Sequence, residues 1–113
     1  MASTKLANRV LIANRGEIAI RIARTARELA VNTVAIHAED EVNSLHLHQA
    51  DEVHALKGMG AAAYLDQSQL IEAAKATGCD AVHPGYGFLS ENAEFAARCR
   101  DEGLAFIGPS VAA

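Results

Sequence analysis

The sequence predicts an α/β layer fold of Rossmann-like type: a parallel sheet of about five strands with helices on both faces. Two observations carry the prediction. Short β-rich apolar runs recur along the chain, and the segments between several of them show a helical period over roughly ten to fifteen residues. Strands joined by helical crossovers must run parallel, with helices covering the sheet. The first run is RVLIA, Arg9 to Ala13, which stops at Asn14-Arg15-Gly16. Behind it Ile18, Ile22, Ala26 and Leu29 fall at the spacing of a buried helix face. NTVAIHA (Asn32 to Ala38) is the second strand, SLHLHQAD a short helix or turn, and EVHAL (Glu52 to Leu56) the third strand. A helix then starts at a plausible N-cap, Asp66, carries Leu70, Ala73, Ala74 and Thr77 on one side, and ends at Gly78. DAVHP supplies the fourth strand, Ser90 to Asp101 a helix, and LAFIG (Leu104 to Gly108) the fifth strand.

Composition narrows the function. With 113 residues, half of them apolar, the chain can bury one ordinary core. A formal charge of −4 provides no basic field for phosphate backbones, and three Phe, two Tyr and no Trp offer little for base stacking, so no nucleic-acid partner is expected. No apolar run approaches the eighteen or so residues of a membrane span, and MASTKLANR has no apolar stretch behind it like that of a secretory signal. A soluble, cytoplasmic chain without a membrane partner is the expectation. Cys79 and Cys99 are too far apart for a C-x-x-C motif and read as buried or half-buried thiols. Of the five histidines, His46 and His48 stand two apart, which on a helix points them in different directions. They read as surface or supporting residues, and no metal site is expected.

Two loops stand out. In open α/β sheets ligands bind beyond the carboxyl ends of the strands, and both Asn14 to Glu17 and Pro84 to Leu89 follow strands at that end. They therefore flank one crevice. Pro84 has no N–H to continue a ladder, while Gly85 and Gly87 permit positive φ on either side of Tyr86, lifting the tyrosine out of the regular backbone. Ser90 can cap the next helix, with Glu91 and Glu94 in its first turn. The turn is either a ligand surface or a tight connection whose tyrosine packs on its own loop. Gly16 shapes the other loop, but one glycine followed by Glu17 is not a phosphate cradle. Arg21, Arg24 and Glu28 lie at i, i+3 and i+7, away from the Ile18 stripe, as a solvated face or one side of a two-fold contact.

The stretch LIANRGEIAIRIARTARELAVNTVAIHAEDEVNSLHLHQADE, the block AYLDQSQLIEAAKATGCDAVHPGYGFLSENAEFA and the closing FIGPS resemble, in order and spacing, the N-terminal domain of biotin carboxylase. The resemblance runs from Arg9 to Ser110 and rests on ANRGEIA and HPGYGFLSENA together. It divides the chain into a tail (1–8), the domain (9–110) and the start of a link to an ATP-grasp region (111–113). In that family ATP and bicarbonate form carboxyphosphate, and the biotin ureido nitrogen takes the CO2 for a separate carboxyltransferase. Magnesium bridges the ATP phosphates. The resemblance implies biotin, ATP and Mg as cofactors of the full-length enzyme, and a biotin carboxyl carrier domain and a carboxyltransferase as partners. Residue by residue, it implies Tyr86 and Gly87 on the biotin side of the cleft, shaped by Pro84, Gly85 and Gly16. Arg21, Arg24 and Glu28 correspond to the charged first-helix residues of the family's dimer interface.

The family's glycine-rich lid, nucleotide lysines, acidic magnesium ligands, and glutamate and arginine near bicarbonate have no counterpart in these 113 residues. ALKGMG is not the A-M-K-M motif of a carrier. No catalytic residue is therefore assigned, and the chain alone is expected to be inactive and to bind no cofactor tightly. AEDEVNSLHLHQAD departs from the aspartate-rich wording of much of the family, and the final acceptor is left unassigned. The alternative is a standalone noncatalytic module that docks on a carboxylase. A nucleotide-binding Rossmann domain would find a ribose ligand in Glu39 or Asp40 but lacks the glycine-rich first turn.

Overall fold

The computed structural model describes residues 7–107. In chain order these form β1 (Arg9–Ile12), α1 (Gly16–Glu28), β2 (Asn32–His37), a 3-10 turn (Leu45–Gln49), β3 (Glu52–Ala55), α2 (Gly60–Ala63), α3 (Gln67–Ala76), β4 (Ala81–His83), α4 (Ala93–Asp101) and β5 (Ala105–Phe106). The five strands make one sheet in the order β3-β2-β1-β4-β5, every pair parallel, as the α/β reading requires. Of the predicted fifth strand, Gly108 lies outside the described residues, as do Pro109 and Ser110 of the closing motif.

Strand order decides which face each helix covers. From β1 the chain steps one way to β2 and β3, then returns to β4 on the other side of β1 and continues outward to β5. Right-handed crossovers in opposite directions place their helices on opposite faces. Thus α1 covers one face, with Ala19 and Ala23 against Ile12. On the other face α2, α3 and α4 bring Tyr64, Leu70 and Phe95 onto Leu11, Val34, Ile36 and Val82. Both faces being covered, β2 is buried from Thr33 through His37.

The stripe of α1 differs from the expected one. Its buried residues are Ala19, Ala23 and Ala26, whereas Ile18 and Ile22 are half-buried and Leu29 is 64% exposed. Alanines let the helix lie close to the sheet, and the longer side chains are turned to its flank. At α3 the expected caps form: the Asp66 carboxylate accepts from the Gln69 N–H at 3.2 Å, and Gly78 adopts φ +73°. For α4 the cap is Asn92, whose Oδ1 accepts from the Phe95 N–H at 2.9 Å. Ser90 is instead buried within the preceding turn, its N–H donated to the Gly87 carbonyl at 2.9 Å. Glu94 stays in the first helical turn and Glu91 precedes it.

At the opposite end of the sheet, Asp80 closes the start of β1. Its carboxylate accepts from the backbone N–H groups of Asn8 (3.0 Å) and Arg9 (3.0 Å). Partial burial works against its ionisation, but these hydrogen bonds win and hold the carboxyl below its usual range.

Candidate functional site

β1 and β4 are neighbours, with Ile12 in register with His83, so the loops that leave their carboxyl ends emerge side by side. The Ala13 N–H, donated to the His83 carbonyl at 2.9 Å, carries the pairing one residue past the strand. The next residue, Asn14, is 2% exposed and joins the two loops. Its Nδ2 donates to the carbonyls of Pro84 and Tyr86, both at 2.7 Å, and its Oδ1 accepts from the Arg15 N–H at 2.8 Å. All of the amide's functions at this point are matched in one orientation, since the reverse would set an oxygen against two carbonyls. The two loops predicted to flank one crevice are in direct contact.

Between those carbonyls sits Gly85, at φ +69°. A Cβ there would lie 2.6 Å from Ile18 Cγ2 and 2.9 Å from Asn14 Nδ2, so only glycine fits. The half-buried isoleucines of α1 thus form the seat of this turn. Gly85 donates its N–H to His83 Nδ1 at 3.1 Å, which places the proton of the neutral ring on Nε2. Burial lowers the His83 pKa from 6.5, which favours that neutral form near pH 7.

Beyond Gly85 the chain turns outward. Tyr86 is 75% exposed, Gly87 follows at φ +70°, and a Cβ on Gly87 would meet nothing within 4 Å. Among the described residues, none accepts the N–H of Tyr86 or Gly87. Phe88 then takes φ +45°, a left-handed conformation that a bulky residue adopts only when its surroundings enforce it. Its ring lies 5.2 Å from that of Tyr64, tilted by 32°. The Arg15 guanidinium stands over both, 5.5 Å from the Tyr64 centroid and 5.6 Å from that of Phe88. Glu41 pairs with Arg15 and accepts from the Tyr64 hydroxyl at 2.7 Å. Burial first, and then this bond to Glu41, push the Tyr64 phenol far above its ordinary pKa, so it acts as a fixed donor.

The predicted site residues therefore divide into two groups. Pro84 ends β4 at His83, Gly85 makes the tight turn, and Tyr86 and Gly87 face outward beyond it. Gly16, at φ +66°, opens α1 beneath them. Arg21, Arg24 and Glu28 lie along the solvent side of α1, where Arg21 pairs with Glu17 of the same helix at 3.3 Å. Sequence reasoning missed the clamping role of Asn14, the stack of Arg15, Phe88 and Tyr64, and Glu41. One signal was available for the first: Pro84 and its glycines leave carbonyls in need of donors, and Asn14 follows the neighbouring strand.

Other candidates take different roles. His46 and His37 are buried rather than superficial, with ring nitrogens 2.9 Å from the Ile36 carbonyl and 2.8 Å from the Ala38 carbonyl. Glu39 and Asp40 accept from the N–H groups of Gly58 (2.7 Å) and Gly60 (2.9 Å), which ties the loop after β2 to the one between β3 and α2. Both cysteines are buried free thiols; burial raises the Cys79 pKa and pushes Cys99 to about 11, so neither is an activated nucleophile. Among the described residues no three His, Cys, Asp or Glu side chains group as a metal site, and no helix is long and apolar enough to cross a membrane. An open apolar groove of about 710 Å³ runs beside α1, lined by Val10, Ile18, Ile22, Leu29, Tyr86 and Ile107. The outermost turn has the makings of a binding wall: an exposed aromatic ring and approachable backbone, held rigidly from behind.

Comparison with known proteins gives the family of the domain. The family model described as biotin carboxylase, N-terminal domain, matches residues 6–113. A urea amidolyase of Lachancea kluyveri is 53% identical over 102 residues, which are 89% of this chain and 6% of that protein. The mitochondrial methylcrotonoyl-CoA carboxylase subunit alpha of Oryza sativa subsp. japonica is 51% identical over 102 residues, 89% of this chain and 14% of its own length. Among solved structures, the biotin carboxylase domain of a single-chain bacterial carboxylase superposes with a TM-score of 0.88 at 54% identity, covering 92% of this chain and 24% of that one.

Proposed function

This chain belongs to the biotin carboxylase N-terminal domain family, and we propose that it serves as the first domain of a biotin carboxylase, its Tyr86–Gly87 turn forming one wall of the biotin site. The relatives' names differ in what they act on, with urea, methylcrotonoyl-CoA and pyruvate all represented, yet they share this domain. The resemblance implies that this domain serves the ATP-dependent carboxylation of biotin by bicarbonate, with the acceptor chosen elsewhere. Because the domain is a small share of each relative's length, the carrier domain and carboxyltransferase are partners within a larger assembly. The buried free thiols suit a cytoplasmic setting.

The observation that carries the reading is the exposed Tyr86 followed by an unobstructed Gly87. Biotin has an apolar bicyclic face and a polar ureido edge. The ring of Tyr86 fits the face, and the N–H groups of Tyr86 and Gly87 fit the edge. When bound, biotin supplies the ureido nitrogen that accepts CO2; this chain's part is to bind and orient it. His83, whose Nδ1 takes the Gly85 N–H, serves the turn as a fixed acceptor, and ATP, metal and bicarbonate are assigned, as the resemblance implies, to the ATP-grasp portion of the full-length enzyme. In that enzyme Tyr86→Ala is expected to raise the KM for free biotin about tenfold, the size of one lost aromatic contact, and to leave the KM for ATP within about twofold. Equal effects on both would make the turn merely structural.

The solvent side of α1 suits the second role. Arg21, Arg24 and Glu28 form a charged row, and its mixed signs allow the same surface to meet itself across a two-fold axis. Arg24→Glu is expected to move the full-length protein from dimer toward monomer in sedimentation velocity. A dimer that survives the charge reversal at micromolar concentration removes these residues from the interface.

A further inference from the structure

Two residues ahead of α1 grip both ends of the Tyr86–Gly87 turn without belonging to the proposed biotin contact. Asn14 holds the two peptide carbonyls that bracket Gly85, those of Pro84 and Tyr86, at 2.7 Å each. Those bonds fix the plane of the peptide that links Tyr86 to Gly87. Arg15 takes the far end: its guanidinium covers the Phe88 ring at 5.6 Å and the Tyr64 ring at 5.5 Å, and Glu41 anchors it. Phe88 keeps its left-handed backbone under that cover. The exposed turn lies between two fixed points.

We propose that Asn14 and Arg15 are positioning residues for biotin, acting through Tyr86 and Gly87 by holding the turn in a single conformation. The proposal rests on the reading of that turn as the biotin wall. Its physical content is preorganisation: a wall that is already ordered loses little entropy when the ligand arrives, whereas a loosened one must be ordered by the ligand.

Two variants of the full-length carboxylase test it. Asn14→Asp keeps the shape but sets a carboxylate oxygen against two carbonyls, so both contacts become repulsive. Arg15→Lys keeps the charge toward Glu41 and loses the planar group that lies over the rings. Hydrogen exchange in the segment from His83 to Asn92 reads the turn directly, through the Gly85 and Ser90 amides bonded to His83 Nδ1 and the Gly87 carbonyl. In Asn14→Asp these amides are expected to exchange about tenfold faster or more, with the biotin KM rising about tenfold and the ATP KM within about twofold. Arg15→Lys should shift the same two readings in the same direction and less far. Added to Tyr86→Ala, Asn14→Asp should raise the biotin KM by less than its effect in the parent enzyme, because the ring contact is already gone and only the backbone N–H contacts are left to misplace.

Unchanged exchange at Gly85 and Ser90 would overturn the positioning role whatever biotin does. Faster exchange with a normal biotin KM, in an enzyme where Tyr86→Ala does raise it, would overturn the link to biotin; so would a rise in the ATP KM equal to that for biotin. A Tyr86→Ala enzyme with a normal biotin KM would instead sink the biotin-wall reading itself, and this proposal with it. Should Asn14→Asp fail to fold, Arg15→Lys carries both measurements.

Discussion

Gly85→Ala is expected to destabilise the protein by about 2–4 kcal/mol, and Gly87→Ala by only about 1 kcal/mol. Both glycines have positive φ, +69° and +70°, so both variants share the cost of placing an L side chain in the left-handed region. They differ in what the new methyl group meets. At position 85 it would lie 2.6 Å from Ile18 Cγ2, 2.9 Å from Asn14 Nδ2 and 3.3 Å from Ile22 Cδ1. Ile18 cannot swing that branch away without leaving its rotamer, and Asn14 is held by its own hydrogen bonds, so the turn must lift off α1. At position 87 the methyl group meets open space. Urea unfolding of the two variants beside the parent protein measures the difference. Equal losses would mean that the turn is not seated on α1 as described.

Tyr64→Ala is expected to cost about 3–5 kcal/mol, as large aromatic-to-alanine changes in a core do. Tyr64 is fully buried, is the floor on which Phe88 rests, and helps to hold Glu41 in place for Arg15. Its loss opens a cavity in the core and removes the support of the turn together. Tyr64→Phe separates the two effects: it keeps the ring and gives up only the hydroxyl's bonds, to Glu41 and more weakly to the Ile36 carbonyl, for about 1 kcal/mol. Thermal or urea unfolding reads both variants, with the exchange of the His83 to Asn92 segment as a local measure. A Tyr64→Ala protein within about 1 kcal/mol of the parent would show that the ring is not a support.

The alternation of strand and helix was legible because each strand is a short apolar run and each long helix has a period and an end signal: Asp66 and Gly78 for α3, Gly16 for α1. The errors share one cause, which is that local pattern ranks residues by character while packing ranks them by fit. On α1 the isoleucines give the stronger signal, but the alanines allow the close approach to the sheet and so take the buried face. Ser90 and Asn92 are equally good caps on paper. The turn that begins at Gly85 extends past Ser90, which leaves the capping position to Asn92. With its four residues GAAA, α2 is too short to show a period, and so its role in presenting Tyr64 was invisible. The PGYG turn itself was legible as an unusual loop. Its support was not, because Asn14, Arg15, Glu41 and Tyr64 come from three other segments, and only the tertiary fold brings them together.

That support also sets the order in which the turn can come into being. The contacts of Asn14 with Pro84 and Tyr86 span 70 and 72 residues. Closing such a loop in a flexible chain costs about 4 kcal/mol of entropy before any contact rewards it. A nascent chain that has left the ribosome only as far as β3 already has both halves of its first strand-helix unit and the amide of Asn14, yet nothing for that amide to hold. Only when β4 takes its place beside β1 do the turn, its seat and its clamp arrive at once. The clamped Tyr86–Gly87 turn is thus a late product of synthesis, and its appearance reports that the middle of the sheet has closed.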